Sequence, residues 1–393
     1  VNDRHATAES PPKVALFSTN FVEYSQTFVY DELTHHQRYQ VEVFARKRLN
    51  ADRFPYANVH LHDAGGGPLG RLEQRIYSST SFSPRFLGEI RRGGYALLHA
   101  HFGTGSVYAL PIQRRADLPL VVTFHGFDVP LLLTRRRFHP TNWRYWLRSG
   151  AMLRRVSRFL AASDELRDLL IQLGAPPERV KVWRLGVRIP ELATPPDRTG
   201  RNVLMVGRFV EKKGFEFGLQ AFASAVTSGV DARLDIIGDG PLRPALDRII
   251  AERGIAARVR FRGVLDHAAV LAAMAEADVL MCPSVVAGNG DRESGILVAK
   301  EAGARFVPVI GTRHGGIPEI IDDGVTGFMV PERDAPALAD RLIELLRNPS
   351  LRADMGLAAR AKMVNEYDII ERVRVLETHY DEVIAAHRAG DRP

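Results

Sequence analysis

Residues 202 to 214 read NVLMVGRFVEKKG. Val203 to Val206 form an apolar run fit for a buried strand, Gly207 ends it, and a basic turn carrying Arg208, Lys212 and Lys213 follows. Four more short runs succeed it: Ala232 to Gly238 (ARLDIIG), Arg258 to Gly263 (RVRFRG), Ala277 to Cys282 (ADVLMC) and Phe306 to Gly311 (FVPVIG). Between them lie segments of helical periodicity at Phe217 to Ser228, Pro241 to Arg253 and Ala268 to Ala275. Short apolar runs alternating with helices predict a parallel sheet covered on both faces, a doubly wound α/β layer.

The same pattern precedes that stretch. Apolar runs occur at Lys13 to Ser18, Gln40 to Phe44, Ala96 to His99, Leu118 to Phe124 and Phe159 to Ala162, with a helix expected to start within Thr27 to Leu33. The segment Leu192 to Arg201 (LATPPDRTGR) has the Pro, Gly and charged residues of a linker. A chain of 393 residues has the length of two cores. We therefore read two Rossmann-like domains, 1–195 and 196–365, followed by a terminal segment 366–393. Ala335 to Arg347 and Glu366 to His387 have the spacing of amphipathic helices. Two open parallel sheets bind ligands outside the carboxyl ends of their strands, so a cleft between domains is the expected site.

Composition narrows the class. With 45% hydrophobic and 25% charged residues the chain is neither disordered, collagen-like nor disulfide-rich. Its single cysteine, Cys282, rules out an internal disulfide and a cysteine zinc site, which fits a reducing compartment. Cys282 itself reads as a small apolar residue ending a buried strand. No apolar stretch reaches the ~18 to 20 residues needed to span a bilayer, and Val1 to Pro12 is polar, so neither a signal core nor an anchor is expected. The net charge of +7 is unevenly placed: residues 1–195 hold 27 basic and 17 acidic side chains, and the rest hold 26 and 29. All the net positive charge thus belongs to the first half.

Three motifs carry chemistry. In Gly207 to Gly214 (GRFVEKKG), glycine lets backbone approach a ligand while Arg208 and Lys213 deliver two positive charges to one point, as a diphosphate requires; the alternative is a solvated basic turn. Gly238-Asp239-Gly240-Pro241 closes the next strand, where free backbone N–H groups at a helix start can face an anion. Such turns also close parallel sheets for structural reasons alone. Glu293-Ser294-Gly295-Ile296-Leu297-Val298-Ala299-Lys300-Glu301 places two carboxylates eight residues apart. If the helix runs from 294, Glu301 lies about two turns inside it on nearly the same face as Glu293. One carboxylate could hold a sugar hydroxyl and the other a ribose; a helix cap plus a surface or core glutamate is the alternative.

In combination, GRxxxKKG, IIGDGP, CPS, E-x7-E and Thr312 to Glu319 (TRHGGIPE) resemble the C-terminal half of the retaining, nucleotide-sugar-dependent glycosyltransferases of family 4, which have the GT-B fold. The first half is similar to the colanic acid and amylovoran branch, through Ser25-Gln26-Thr27-Phe28, His99-Ala100-His101-Phe102-Gly103 and Thr123 to Asp128 (TFHGFD). That resemblance runs from Lys13 to about Tyr380. It implies a nucleotide diphospho-sugar donor, a UDP- or GDP-sugar, and no further cofactor. Arg208 and Lys213 would hold the diphosphate as it leaves, Glu301 the ribose, and Glu293 the sugar hydroxyls with the backbone N–H groups of Ser294, Gly295 and Ile296. His125 would reach toward the sugar from the first domain. Gly207, Gly238, Gly240, Arg262 and Gly263 would line the donor site, with Arg260 to Gly263 near the base. Gln26, Thr27, His101, Gly103 and Asp128 would lie on the acceptor side. The last helix would cross back onto the first domain.

Cleaving a glycosyl–phosphate bond puts negative charge on the departing diphosphate, so fixed cations there favour the transition state. No D-x-D pair occurs in the chain, so no metal is expected and Arg208 and Lys213 would take its place. Front-face attack makes Glu293 a positioning group. Two departures from the family pattern stand out: Gln26 replaces the glutamate of Ser-Glu-Thr-Phe, and Glu293-Ser294-Gly295-Ile296 displaces the glycine of E-G-x-P.

From Val129 to Ser163 there is no acidic residue, while Arg135, Arg136, Arg137, Arg144, Arg148, Arg154, Arg155 and Arg158 alternate with Phe138, Trp143, Tyr145, Trp146 and Leu147. Basic residues with Trp and Leu suit an anionic membrane surface; an arginine-rich helix with its aromatics in the core is the alternative. Nucleic acid is not expected as a partner, because the other half is acidic and already has a ligand reading. The expectation is a cytoplasmic enzyme, peripheral at the inner face of the plasma membrane, acting on a lipid-linked glycan. A GT-B epimerase or phosphorylase, or a two-domain sugar-binding protein, are the rivals. His99 and His101 line the cleft or are structural; His314, Gly315 and Gly316 form a turn near the donor, with Glu319 capping the next helix.

Overall fold

The computed structural model describes residues 10–23, 26–62, 67–198 and 200–393. Seven parallel strands form the first sheet: β1 (Lys13–Phe21), β2 (Gln40–Arg48), β3 (Val59–Leu61), β4 (Tyr95–His101), β5 (Leu120–Phe124), β6 (Arg158–Ala161) and β7 (Val180–Val182), in the order β3-β2-β1-β4-β5-β6-β7. Six more form the second: β8 (Asn202–Val206), β9 (Arg233–Ile237), β10 (Val259–Gly263), β11 (Val279–Cys282), β12 (Val309–Thr312) and β13 (Gly327–Val330), in the order β10-β9-β8-β11-β12-β13. Every pairing within both sheets is parallel. The α/β, doubly wound GT-B architecture expected from the sequence is therefore observed. The apolar runs are these strands; β3 and β7, three residues each, and the edge strand β13 are additions.

Parallel strands are buried on both faces, which is why they read as continuous apolar runs. Val14, Leu16, Phe17, Leu98, Val121 and Phe124 are each 1% exposed or less, and each such side chain contributes about 1.5–3 kcal/mol through burial. The linker is pinned where it enters the second sheet. Asp278, fully buried, accepts the N–H groups of Gly200, Arg201 and Asn202, each at 2.9 Å.

Glu366 is where the reading of the C-terminus changes. One helix, Pro349–Glu366, ends there, and another, Ile369–Arg388, begins after it with Asp368 capping the N–H of Ile370. In the break, Val187 donates to Tyr367 O and Ile369 donates to Val187 O. The last helix then packs Leu376, Tyr380, Val383 and Ile384 into the core of the first sheet.

Candidate functional site

The second sheet reverses its winding between β8 and β11, and the loops leaving those two strands carry Gly207 to Gly214 and the Glu293 segment. Glycines let them close on one another. A Cβ at Gly238 would lie 1.9 Å from Gly207 O, and Gly238 donates to Gly263 O, so Gly207, Gly238 and Gly263 end their strands side by side. A Cβ at Gly214, where φ is +59°, would lie 1.9 Å from Pro283 O. Gly240 packs its backbone against Phe209. Arg262 turns to Asp235, 3.5 Å away, an acid that Arg260 also holds.

The loop after β11 brings Glu293 to Lys213: Lys213 Nζ stands 2.9 Å from Glu293 Oε1. Burial pushes the Glu293 carboxyl up, but Lys213 and then Lys212 outweigh it and hold the group below its ordinary range. Lys212 itself reaches Asp291 at 3.3 Å. Arg208 is exposed, and no partner of its side chain is found among the described residues. Glu293 N–H donates to His314 Nε2, and His314 Nδ1 lies 2.9 Å from Glu332 Oε1, which fixes that imidazole with its proton on Nδ1. Gly316 would clash through a Cβ with Ser294 O at 1.9 Å, so the turn His314-Gly315-Gly316 lies directly on the 293–294 backbone. The N–H groups of Ser294, Gly295 and Ile296 make no hydrogen bond among the described residues.

Glu301 corrects the spacing argument. The helix is Leu297–Gly303, so Glu301 lies little more than one turn inside it and shares no partner with Glu293. Its Oε1 meets His267 Nε2 at 2.6 Å, and that hydrogen bond raises the His267 pKa against the effect of burial. Glu319 does not cap its own helix. Its carboxylate accepts Asp164 N–H and Arg184 Nε from the first domain, at 2.7 and 2.6 Å. Cys282 is buried, and burial pushes its thiol up to about 12.

The two domains meet at this loop. Ser163 Oγ, which caps the helix Asp164–Gln172, lies 3.0 Å from Ser294 Oγ, and Arg292 pairs with Glu165 at 2.6 Å. A Cβ at Gly126 would stand 3.1 Å from Ser294 Cβ, so the loop after β5 that begins with His125 abuts the donor segment.

On the acceptor side the residues sort differently from expectation. Gln26 and Thr27 open the helix Thr27–Thr34 and are partly exposed, while Ser25 lies outside the described residues. His101, Gly103 and Asp128 are buried inside the domain. Asp128 is fully buried and accepts Gly103 N–H and Gly126 N–H at 2.8 and 3.3 Å; burial raises its pKa to about 6 despite those bonds. Gly103 lies under Tyr145, whose Oη would be 2.0 Å from a Cβ there. His101 is 1% exposed and bonds to His125. Sequence reasoning missed Glu32, buried beside His101; its signal was a carboxylate on the same helix face as Val29 and Leu33. Glu32, His99 and His101 bring three ligand-type atoms within 4.8 Å of one another.

In the basic stretch the aromatics are outside. Phe138, Trp143, Trp146 and Leu147 are 58%, 48%, 40% and 59% exposed, and only Tyr145 of that group is buried. The reading in which these rings fill the core is thereby corrected. No described helix is long and apolar enough to cross a membrane.

Two family models match the chain in succession, "Glycosyltransferase Family 4" over residues 29–189 and "Glycosyl transferases group 1" over 193–362. The chain belongs to the GT-B glycosyltransferases of family 4. Among relatives of this family member is a putative colanic acid biosynthesis glycosyltransferase, WcaL, of Salmonella typhimurium, 31% identical over 63% of the chain. That match spans 61% of the WcaL length. The amylovoran biosynthesis glycosyltransferase AmsK of Erwinia amylovora is 29% identical over 91% of the chain and 96% of its own. HepE of Anabaena, solved in complex with UDP and glucose, superposes with a TM-score of 0.73 at 18% identity, covering 94% of the chain and all of HepE. At that identity the likeness is one of fold.

Proposed function

We propose that the protein transfers a sugar, with retention of configuration, from a nucleotide diphospho-sugar to a lipid-linked glycan acceptor in exopolysaccharide assembly. One observation carries the reading: Lys213 and Glu293 meet at 2.9 Å in the cleft, beside three N–H groups without a partner among the described residues and an exposed Arg208. A cation, a carboxylate and free donors at one point suit a substrate that is anionic at one end and hydroxyl-rich at the other. The donor diphosphate would draw Lys213 from Glu293 and engage Arg208 across the loop. Glu293, released, would accept hydroxyl protons of the sugar while Ser294, Gly295 and Ile296 donate.

As the glycosyl–phosphate bond breaks, charge grows on the diphosphate oxygen nearest those two cations, which stabilise it more than the ground state. The acceptor hydroxyl attacks from the same face, and the departing phosphate oxygen takes its proton. Glu301, held by His267, would grip the ribose. This chemistry needs no metal between the cations and the diphosphate. The likeness to WcaL and AmsK supports an exopolysaccharide product.

The exposed Phe138, Trp143, Trp146 and Leu147, set among Arg135 to Arg158, support a peripheral position on an anionic inner membrane, each nearby Arg adding about 1 kcal/mol. The protein would then be cytoplasmic. Incubating it with UDP- and GDP-sugars, with and without a membrane extract, tests the reading: nucleotide release that depends on acceptor supports it. An isomerised sugar formed without acceptor, or binding without turnover, refutes it.

A further inference from the structure

A chain of polar contacts runs from the core of the first domain to the cleft wall, from Glu32 through His101 to His125. Glu32 and His101 are each 1% exposed. His101 Nε2 stands 3.2 Å from Glu32 Oε1, off hydrogen-bond alignment, and His101 Nδ1 stands 3.0 Å from His125 Nε2. Neither Lys nor Arg pairs with Glu32 among the described residues. His99 stands apart from this chain: Thr123 Oγ1 at 2.8 Å and Tyr380 Oη at 2.7 Å take its two ring nitrogens, and it lies 3.7 Å from Glu32. At the other end, His125 Nδ1 is buried without a partner among the described residues. Phe28 and Phe102 flank the His125 ring, each at 4.6 Å between centroids.

The order of these groups fixes the protons. An ionised carboxylate only accepts, so the nitrogen facing it, His101 Nε2, carries hydrogen. Where His101 carries its one proton on Nε2, its Nδ1 offers a lone pair, and His125 Nε2 must donate to it. That leaves His125 Nδ1 bare. Burial and the neighbouring His101 hold the His125 pKa well below its ordinary value, which keeps the ring neutral.

We propose that Glu32 and His101 are positioning residues that lock His125 in its Nε2–H form, so that Nδ1 accepts a hydrogen bond from a hydroxyl of the donor sugar. The hydroxyl rests on the glycosyl-transfer reading; the proton placement does not. The adjoining Gly126 lies against Ser294, which puts the ring beside the donor segment. Glu32, sealed behind two rings, touches no substrate.

The wild-type protein tests this without a substitution. Long-range proton–nitrogen spectra of histidine-labelled protein at neutral pH should show His101 and His125 both as Nε2–H. A divalent ion held by Glu32, His99 and His101 would instead need His101 Nε2 bare. His101 Nδ1 would then donate and His125 would carry its proton on Nδ1. An Nδ1–H signal for His125, or one equivalent of bound metal by elemental analysis, overturns the proposal. For turnover, Glu32→Gln should lower kcat about tenfold, the worth of one aligned hydrogen bond, with donor KM within about twofold. Its His125 signal should show the proton moved or exchanging between nitrogens. Unchanged kcat with an unchanged tautomer also overturns it. If Glu32→Gln fails to fold, the wild-type spectrum decides. If the protein releases no nucleotide with any donor, the glycosyl-transfer reading fails while the tautomer assignment is still read.

Discussion

Replacing Lys213 by Met keeps most of the stem that lies over Gly207 and removes the ammonium facing Glu293. In the parent the Lys213 side chain is 20% exposed and that of Glu293 10%, so the pair is largely desolvated. Removing one partner of such a pair costs about 3–5 kcal/mol; Lys212 also lowers the Glu293 pKa, so about 3 kcal/mol is expected. The pH dependence has a definite sign. In the parent the Glu293 pKa is depressed, so its ionisation stabilises the fold above the unfolded value of 4.5 and that contribution is lost as pH falls through the folded pKa. Without Lys213, burial is the leading influence and raises the pKa. The variant should therefore be destabilised at neutral pH and regain stability relative to the parent on acidification.

Urea unfolding at several pH values measures this, and nucleotide release measures the chemistry. Loss of a cation aimed at the leaving group should lower kcat by about 10²–10³. Adding Glu293→Gln separates the two effects: the double variant should recover most of the stability and remain slow. A single variant that unfolds like the parent at every pH, or turns over within about threefold of it, refutes the reasoning.

Other perturbations read other parts of the molecule. Lys300 is 1% exposed, donates to Leu185 O at 2.8 Å, and has its pKa lowered to about 7 by burial; since the unfolded chain binds its proton up to about 10, stability should rise between pH 7 and 10, and Lys300→Met should flatten that rise in chemical denaturation. Glu301→Gln should lower the His267 pKa, read by proton NMR, and remove the part of stability that the parent loses as pH rises through the elevated His267 pKa. Gly103→Ala forces a Cβ to within 2.0 Å of Tyr145 Oη and should cost about 1–3 kcal/mol in melting experiments, whereas Gly229→Ala meets no atom within 4 Å, its cost confined to φ +86°. Substituting Trp143, Trp146 and Leu147 together by Ser should abolish flotation with anionic vesicles and leave melting unchanged, because all three are 40% exposed or more.

What could be read in advance follows from where the information lies along the chain. β8 and β11 declare themselves because buried parallel strands read as apolar runs, and the loop after β8 because glycine and paired lysines are rare together. β3 and β7 have three residues each and sit at the sheet edges, so no run builds up. The helix holding Glu301 begins three residues later than expected: Ser294 O lies against Gly316, Gly295 packs on Leu185 and Ala162, and Ile296 is still extended, so the first helical residue is Leu297.

The charge asymmetry was legible as a number but not as a surface. Helical spacing around Trp143 to Leu147 fits an inward or an outward stripe equally well; the choice falls to Tyr145, the buried ring of this helix, which seats on Gly103 while Trp143, Trp146 and Leu147 are exposed. The helix thus packs inward through Tyr145 and Met152 while Trp143, Trp146 and Leu147 face outward. A sequence shows the rings and the arginines; only the fold shows that the same helix that presents them outward is seated on Gly103, two residues after the His101 that bonds His125.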